Sequence, residues 1–269
     1  MDPDSYERFA VRKIMFPQPG QRRRPWRQSG ELAANAGEIS ADARNLVWLC
    51  FPSIDTADSL GRRYLFDRLA MIPQQGIAFV FHGHAGIAGY SPEQCLRCTS
   101  NVLEAAKELV ESHRGERIGI FSFSAGTHLG FYVANQIGRI RGRPVDKFVA
   151  ASPGESIAYG IFSTWVTDSL ATGLEAGGVT KEIYDEAIAD VTQQNNIEFL
   201  PTGRDLVVHA GSADTYIPIG AHGGTNDLVN RLIRRNKSPT YLIHQGLDHV
   251  TLPMKLIMLQ KLGKIPYLL

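Results

Sequence analysis

The chain has 269 residues, 43% hydrophobic and 20% charged, with a formal net charge of +1. That is enough chain for one domain with a sizeable core, and so few charges argue against disorder. The balanced charge supplies no field to steer the protein to nucleic acid or an acidic membrane, and no run approaches the ~20 apolar residues of a membrane span.

The opening MDPDSYERF carries acids and no apolar run, unlike a secretory signal, so a soluble, cytoplasmic protein is expected. Residues 1–45 read as a polar, irregular lead-in with one short strand near Lys13 to Phe16. Its basic run, Arg22 to Arg24 and then Arg27, reads as a solvated loop. Asn45 to Phe51 is a short apolar run of strand formers ended by Pro52, and Asp58 to Met71 suits a helix or a loop equally.

From Gly76 the pattern sharpens. Ile77 to Phe81 (IAFVF) is a continuous apolar run, as in a strand buried on both faces of a parallel sheet. After the turn-rich HGHAGIAGYS, Ser91 is an N-cap with Pro92 at N1, and a helix is expected to about Ser112. Cys95 and Cys98 form a lone C-x-x-C inside that helix. With no second pair, and off the strand–helix turn where redox motifs sit, it reads as neither a metal nor a redox site.

A second buried strand is Arg117 to Phe123, followed by a helix from about Ala125 to Ile140 and a third strand, Lys147 to Ala151. Residues 153–203 break the rhythm: apolar patches, a helix over Thr180 to Gln194, and no buried strand. The alternation resumes with Asp205 to Ala210, a helix from about Asn226 to Arg235, Thr240 to His244, and a last helix from about Leu252 to Leu262. This order implies right-handed crossovers and a mostly parallel sheet with helices on both faces. Chemistry in such sheets collects beyond the carboxyl ends of the strands.

Three strand ends carry reactive side chains. SFSAG puts Ser124 on a strand-to-helix turn, with small residues, Ser122 and Gly126, two before and two after it. Ser122 fails the same test, because Ile120 is too bulky. The following helix points N–H groups and its positive dipole end at the site. Asp214 follows DLVVHA, and His249 follows TYLIH in QGLDHVTLP, with Asp248 as a local partner or cap. The chain order Ser, Asp, His is that of one serine-hydrolase arrangement and of no other common one. His82 and His84 in HGHAG could also be read as an H-x-H metal pair, but no further ligand cluster accompanies them.

These residues resemble the α/β-hydrolase superfamily from about Gly76 to the C-terminus. The resemblance rests on His82–Gly83, the SFSAG elbow, the G-x-x-D-x-x-x-P run around Asp214 and the late His249. Serine stands for the first glycine of the elbow, and HGHAG lacks the HGGG form of one lipase and esterase branch. The resemblance implies an α/β-hydrolase fold over 1–269 with an eight-stranded sheet, no cofactor and no metal. It implies a cap at 153–203, where Ile157, Tyr159, Phe162, Trp165 and Val166 either line an acyl pocket or pack the cap on the body. It also implies a catalytic triad of Ser124, Asp214 and His249, and an oxyanion hole from the backbone N–H groups of Ala125 and His84, or Gly83 in place of His84.

The expected activity is hydrolysis of a small-molecule acyl ester or lactone through an acyl-serine. An acyltransferase using the same triad and a binding protein that keeps the fold without turnover are the alternatives.

Overall fold

The computed structural model describes residues 10–15, 46–51, 77–82, 91–163 and 168–261. Seven strands form one sheet: β1 (Ala10–Met15), β2 (Leu46–Phe51), β3 (Ile77–His82), β4 (Arg117–Phe123), β5 (Lys147–Ala151), β6 (Gly203–Gly211) and β7 (Pro239–His244). Their spatial order is β1-β3-β2-β4-β5-β6-β7, and β1 alone pairs antiparallel. The mostly parallel sheet is as expected. Seven strands, not eight, lie among the described residues.

The helices are α1 (Pro92–Ser112), α2 (Gly126–Arg141), α3 (Ile157–Phe162), α4 (Asp168–Ala176), α5 (Lys181–Ala187), α6 (Thr225–Arg234) and α7 (Thr251–Lys261). α1 begins as the sequence indicates. The Ser91 hydroxyl accepts the Gln94 N–H, the Gln94 side chain accepts the Ser91 N–H, and Pro92 fills N1. Such a cap is worth about 1 kcal/mol. Cys95 and Cys98 stay on this helix as free thiols, and burial pushes both upward, to about 12 and about 11. No described helix is long and apolar enough to cross a membrane.

The central strands β2, β4 and β5 and most of β6 are buried on both faces, which explains their unbroken apolar runs. Val47, Leu49, Phe51, Ile118 and Ile120 face one core with α1, α2 and α6. Trp48, Cys50, Phe121, Phe123 and Val207 face the other, closed by Leu252 and Leu256 of α7. With both faces apolar the period-2 alternation disappears from the sequence.

Between Pro153 and Thr202 the described residues contain no strand, in line with expectation. The single helix over Thr180 to Gln194 is not found. α5 stops at Ala187, and two 3₁₀ turns follow, Ala189–Val191 and Gln193–Asn195. Polar side chains take the backbone carbonyls of the next turn. Thr192 Oγ1 and Asn195 Nδ2 donate to Ala189 O, and Asn196 Nδ2 donates to Asp190 O and Thr192 O. Such local bonds compete with helix.

Ile157, Ile161, Tyr184, Ile188, Ile197 and Leu200 join the main core, and Phe162 packs against it. The apolar patches of α3 thus bind this segment to the body. Trp165 and Val166 lie outside the described residues.

Candidate active site

The carboxyl ends of β4, β6 and β7 lie at one edge of the sheet, and the loops leaving them converge. The register sets Phe123 beside Ala151, Ala151 beside His209 and His209 beside Leu242. Ser124 follows β4 directly. Its backbone turns into the left-handed region, φ 53°, while its N–H still donates to Ala151 O at 2.9 Å. For a non-glycine residue such a conformation costs about 1–3 kcal/mol and persists only where its surroundings enforce it. Here Thr127 donates to the Ser124 carbonyl from both its N–H (2.9 Å) and its hydroxyl (2.6 Å). Gln193 in turn donates to Thr127 Oγ1 at 3.4 Å.

The tight turn draws α2 down onto β4. A Cβ on Gly130 would stand 2.7 Å from Ser122 Cβ and 2.8 Å from its Oγ. The small residue two before Ser124 therefore makes room for Gly130, one turn into α2, a partner that the motif does not contain. Ser122 itself is wholly buried, its hydroxyl directed to Val149 O at 3.4 Å, and takes no part in the site.

Ser124, Asp214 and His249 come together although far apart in the chain. Ser124 Oγ lies 2.7 Å from His249 Nε2, and His249 Nδ1 lies 2.8 Å from Asp214 Oδ2. A carboxylate only accepts, so Nδ1 carries the imidazole proton and Nε2 presents its lone pair to the serine hydroxyl. The other carboxylate oxygen of Asp214 accepts the N–H groups of Tyr216 and Ile217, both at 2.9 Å. All three side chains are buried.

The loops carrying Asp214 and His249 are stitched to each other. Ser212 N–H donates to His244 O, Ala213 N–H to Leu247 O, and Gly246 N–H to Ser212 Oγ. Gly211 lies so close to the Leu247 carbonyl that a Cβ there would collide with it. Asp248 caps α7, as one of the two readings of the sequence has it. It accepts from Val250 N–H, Thr251 N–H and Thr251 Oγ1, and the Thr251 bonds hold its carboxyl below the usual range.

Ala125 is half-buried at the N-terminal end of α2, where no side-chain cap intervenes. Gly83 and His84 lie outside the described residues, but the sheet order bears on them. β2 separates β3 from β4. The end of β2 therefore lies one strand, ~4.8 Å, nearer to β4 than the end of β3.

Sequence reasoning missed two features. The His249 ring packs against Tyr216, stacked at 4.9 Å and 16°, and against Phe123, at 5.1 Å and 36°. Beside the catalytic loops, fully buried His209 places Nδ1 3.0 Å from His244 Nε2. Burial, and secondly the neighbouring His244, push His209 down to about 3. A histidine inside the buried run DLVVHA was the visible signal, and its partner on the next strand was not. No group of three or more His, Cys, Asp or Glu suited to a metal occurs among the described residues.

No protein-family model matches the sequence, and no curated protein does. Solved structures do. An S-formylglutathione hydrolase from Agrobacterium tumefaciens is 15% identical, with 83% of this chain and 83% of that one covered and a TM-score of 0.53. The HSL homologue EstE7 from a metagenome library is 14% identical over 86% of this chain and 81% of that one, with a TM-score of 0.51. An acylaminoacyl peptidase from Pyrococcus horikoshii is 10% identical and covers 84% of this chain, with a TM-score of 0.57; the match spans only 37% of the peptidase's length. The chain has the α/β-hydrolase fold.

Proposed function

We propose that this protein is a serine hydrolase that cleaves an acyl bond, a carboxylic ester or lactone, through an acyl-serine intermediate. The observation that carries this reading is the unbroken relay from Ser124 Oγ through His249 to Asp214, at 2.7 and 2.8 Å. His249 Nε2 takes the serine proton as Oγ attacks the acyl carbonyl. Asp214, fixed by two backbone N–H groups, holds the ring in the required tautomer and stabilises the imidazolium. The proton passes to the departing alcohol, and water then releases the acyl group by the same route in reverse.

The tetrahedral oxyanion needs two donors. One is the N–H of Ala125, next to the nucleophile at the head of α2. The second is the N–H of His84, or of Gly83, in the loop after β3. A competitor is the chain after β2, the strand beside β4, where the first N–H belongs to Ser53 because Pro52 has none.

The likeness to an S-formylglutathione hydrolase and to EstE7 supports ester-type substrates, and the likeness to a peptidase keeps an amide in view. An acyltransferase would use the same groups with an alcohol or amine replacing water, and partition of the acyl group between water and added acceptors separates the two. The test of the reading is labelling with a fluorescent fluorophosphonate. The wild type is expected to label and Ser124→Ala is not. Folded wild-type protein that stays unlabelled would instead point to a binding protein.

A further inference from the structure

Two aromatic rings pack against the His249 imidazole, and the relay itself does not require them. Tyr216 lies nearly parallel to His249, with ring centres 4.9 Å apart. Phe123, the last residue of β4, lies 5.1 Å away at 36°. Both distances fall in the range of offset aromatic pairs, and both are within the ~6 Å over which a cation is attracted to a ring face. The two rings come from different strand ends, so the arrangement is a tertiary one.

Its chemistry differs before and during reaction. In the resting relay the imidazole is neutral, and stacking only orients it. When Nε2 takes the proton from Ser124 Oγ, the ring becomes a cation stacked on Tyr216 and close to Phe123. An interaction that strengthens only as that charge develops lowers the barrier rather than tightening substrate binding.

We propose that Tyr216 and Phe123 form an aromatic clamp that orients His249 and stabilises its positive charge as it takes the serine proton. This rests on the hydrolase reading above. Both are positioning residues, acting through His249 and not on the substrate. The placement of Tyr216 follows from the acid loop: its own N–H donates to Asp214 Oδ1, so the turn that anchors the carboxylate also delivers the ring. Among the described residues, the titratable or charged groups around the imidazole are Asp214 and Tyr216 from the loop after β6 and Asp248 from its own loop, with the Ser124 hydroxyl at the elbow. Asp214, Asp248 and Ser124 are untouched by changes at Tyr216, and so is the backbone N–H that Asp214 accepts.

The test compares wild type, Tyr216→Phe and Tyr216→Leu with p-nitrophenyl acetate. Leucine keeps apolar cover over the ring but has no π face. Tyr216→Leu is expected to lose about 2- to 5-fold in kcat with KM unchanged, and its acid limb in kcat/KM to move about half a pH unit lower. Tyr216→Phe is expected to behave as wild type. Thermal unfolding and fluorophosphonate labelling of Ser124 are measured alongside. A folded, labelled Tyr216→Leu protein with wild-type kcat and acid limb would overturn the clamp and leave the hydrolase reading standing. So would a Tyr216→Phe protein that falls as far as the leucine variant, since the hydroxyl would then be what matters. Absence of labelling and turnover in folded wild type would overturn the hydrolase reading and the clamp with it.

Discussion

His209 makes the stability of this protein depend on pH in a direction and window that the structure specifies. The ring is wholly buried on β6, with His244 Nε2 3.0 Å from its Nδ1. Its proton affinity is depressed to about 3, first by burial and then by His244, whereas an unfolded chain would bind a proton there at about 6.5. Below pH ~6.5 the unfolded chain therefore takes up a proton that the folded chain refuses, and acid favours unfolding. The contribution is fully present above pH ~6.5 and is lost progressively down to pH ~3, at up to ~1.4 kcal/mol per unit. Between pH 7.5 and 5.0 this amounts to about 2 kcal/mol. His244 is also lowered, first by burial and then by Lys255, and acts in the same sense.

The perturbation is His209→Asn, which removes the titration while leaving an amide near the position of Nδ1. Urea unfolding of both proteins is followed at pH 7.5 and 5.0. The smaller side chain lowers the variant's stability at both pH values, so the informative quantity is the change between them. Wild type should lose about 2 kcal/mol more than His209→Asn over that interval. Equal losses would refute the reasoning and mean that the folded protein accepts a proton at His209.

Two further outcomes are expected. Substituting Pro for Ser53 or for His84 deletes one backbone N–H. Steady-state kinetics should show a ~10²–10³-fold loss of kcat for the true oxyanion donor only, and equal small effects at both would dismiss both candidates. Gly130→Ala forces a Cβ to within 2.7 Å of Ser122 and should cost about 1–3 kcal/mol in urea unfolding. Adding Ser122→Gly should recover most of that cost, and no recovery would show that the elbow is not held by this contact.

The parts of the fold and site readable from sequence are those governed by local rules. The buried strands announced themselves as apolar runs, α1 by its Ser91 cap and Pro92, and the strand–helix turn at Ser124 by the small residues flanking it. Chain order alone singles out Asp214 and His249 as candidates, since nothing local marks a loop aspartate or histidine as a partner of Ser124. The helix over Thr180 to Gln194 was misread because its breaking depends on Thr192, Asn195 and Asn196 reaching back to carbonyls, and apolar periodicity does not register such bonds.

What the tertiary structure alone decided is which residues meet. Spatial strand order is not chain order. β2, not β3, lies beside the elbow strand, so the strand that the HGHAG motif follows is not the neighbour of β4. The ring of Tyr216 over His249, the buried His209–His244 pair and the contact of Gly130 with Ser122 all join separate elements. Each depends on strand register and on the depth to which α2 and the loops settle. Local propensity acts over a few residues, whereas these contacts are set by how whole layers pack, and packing is a property of the folded chain.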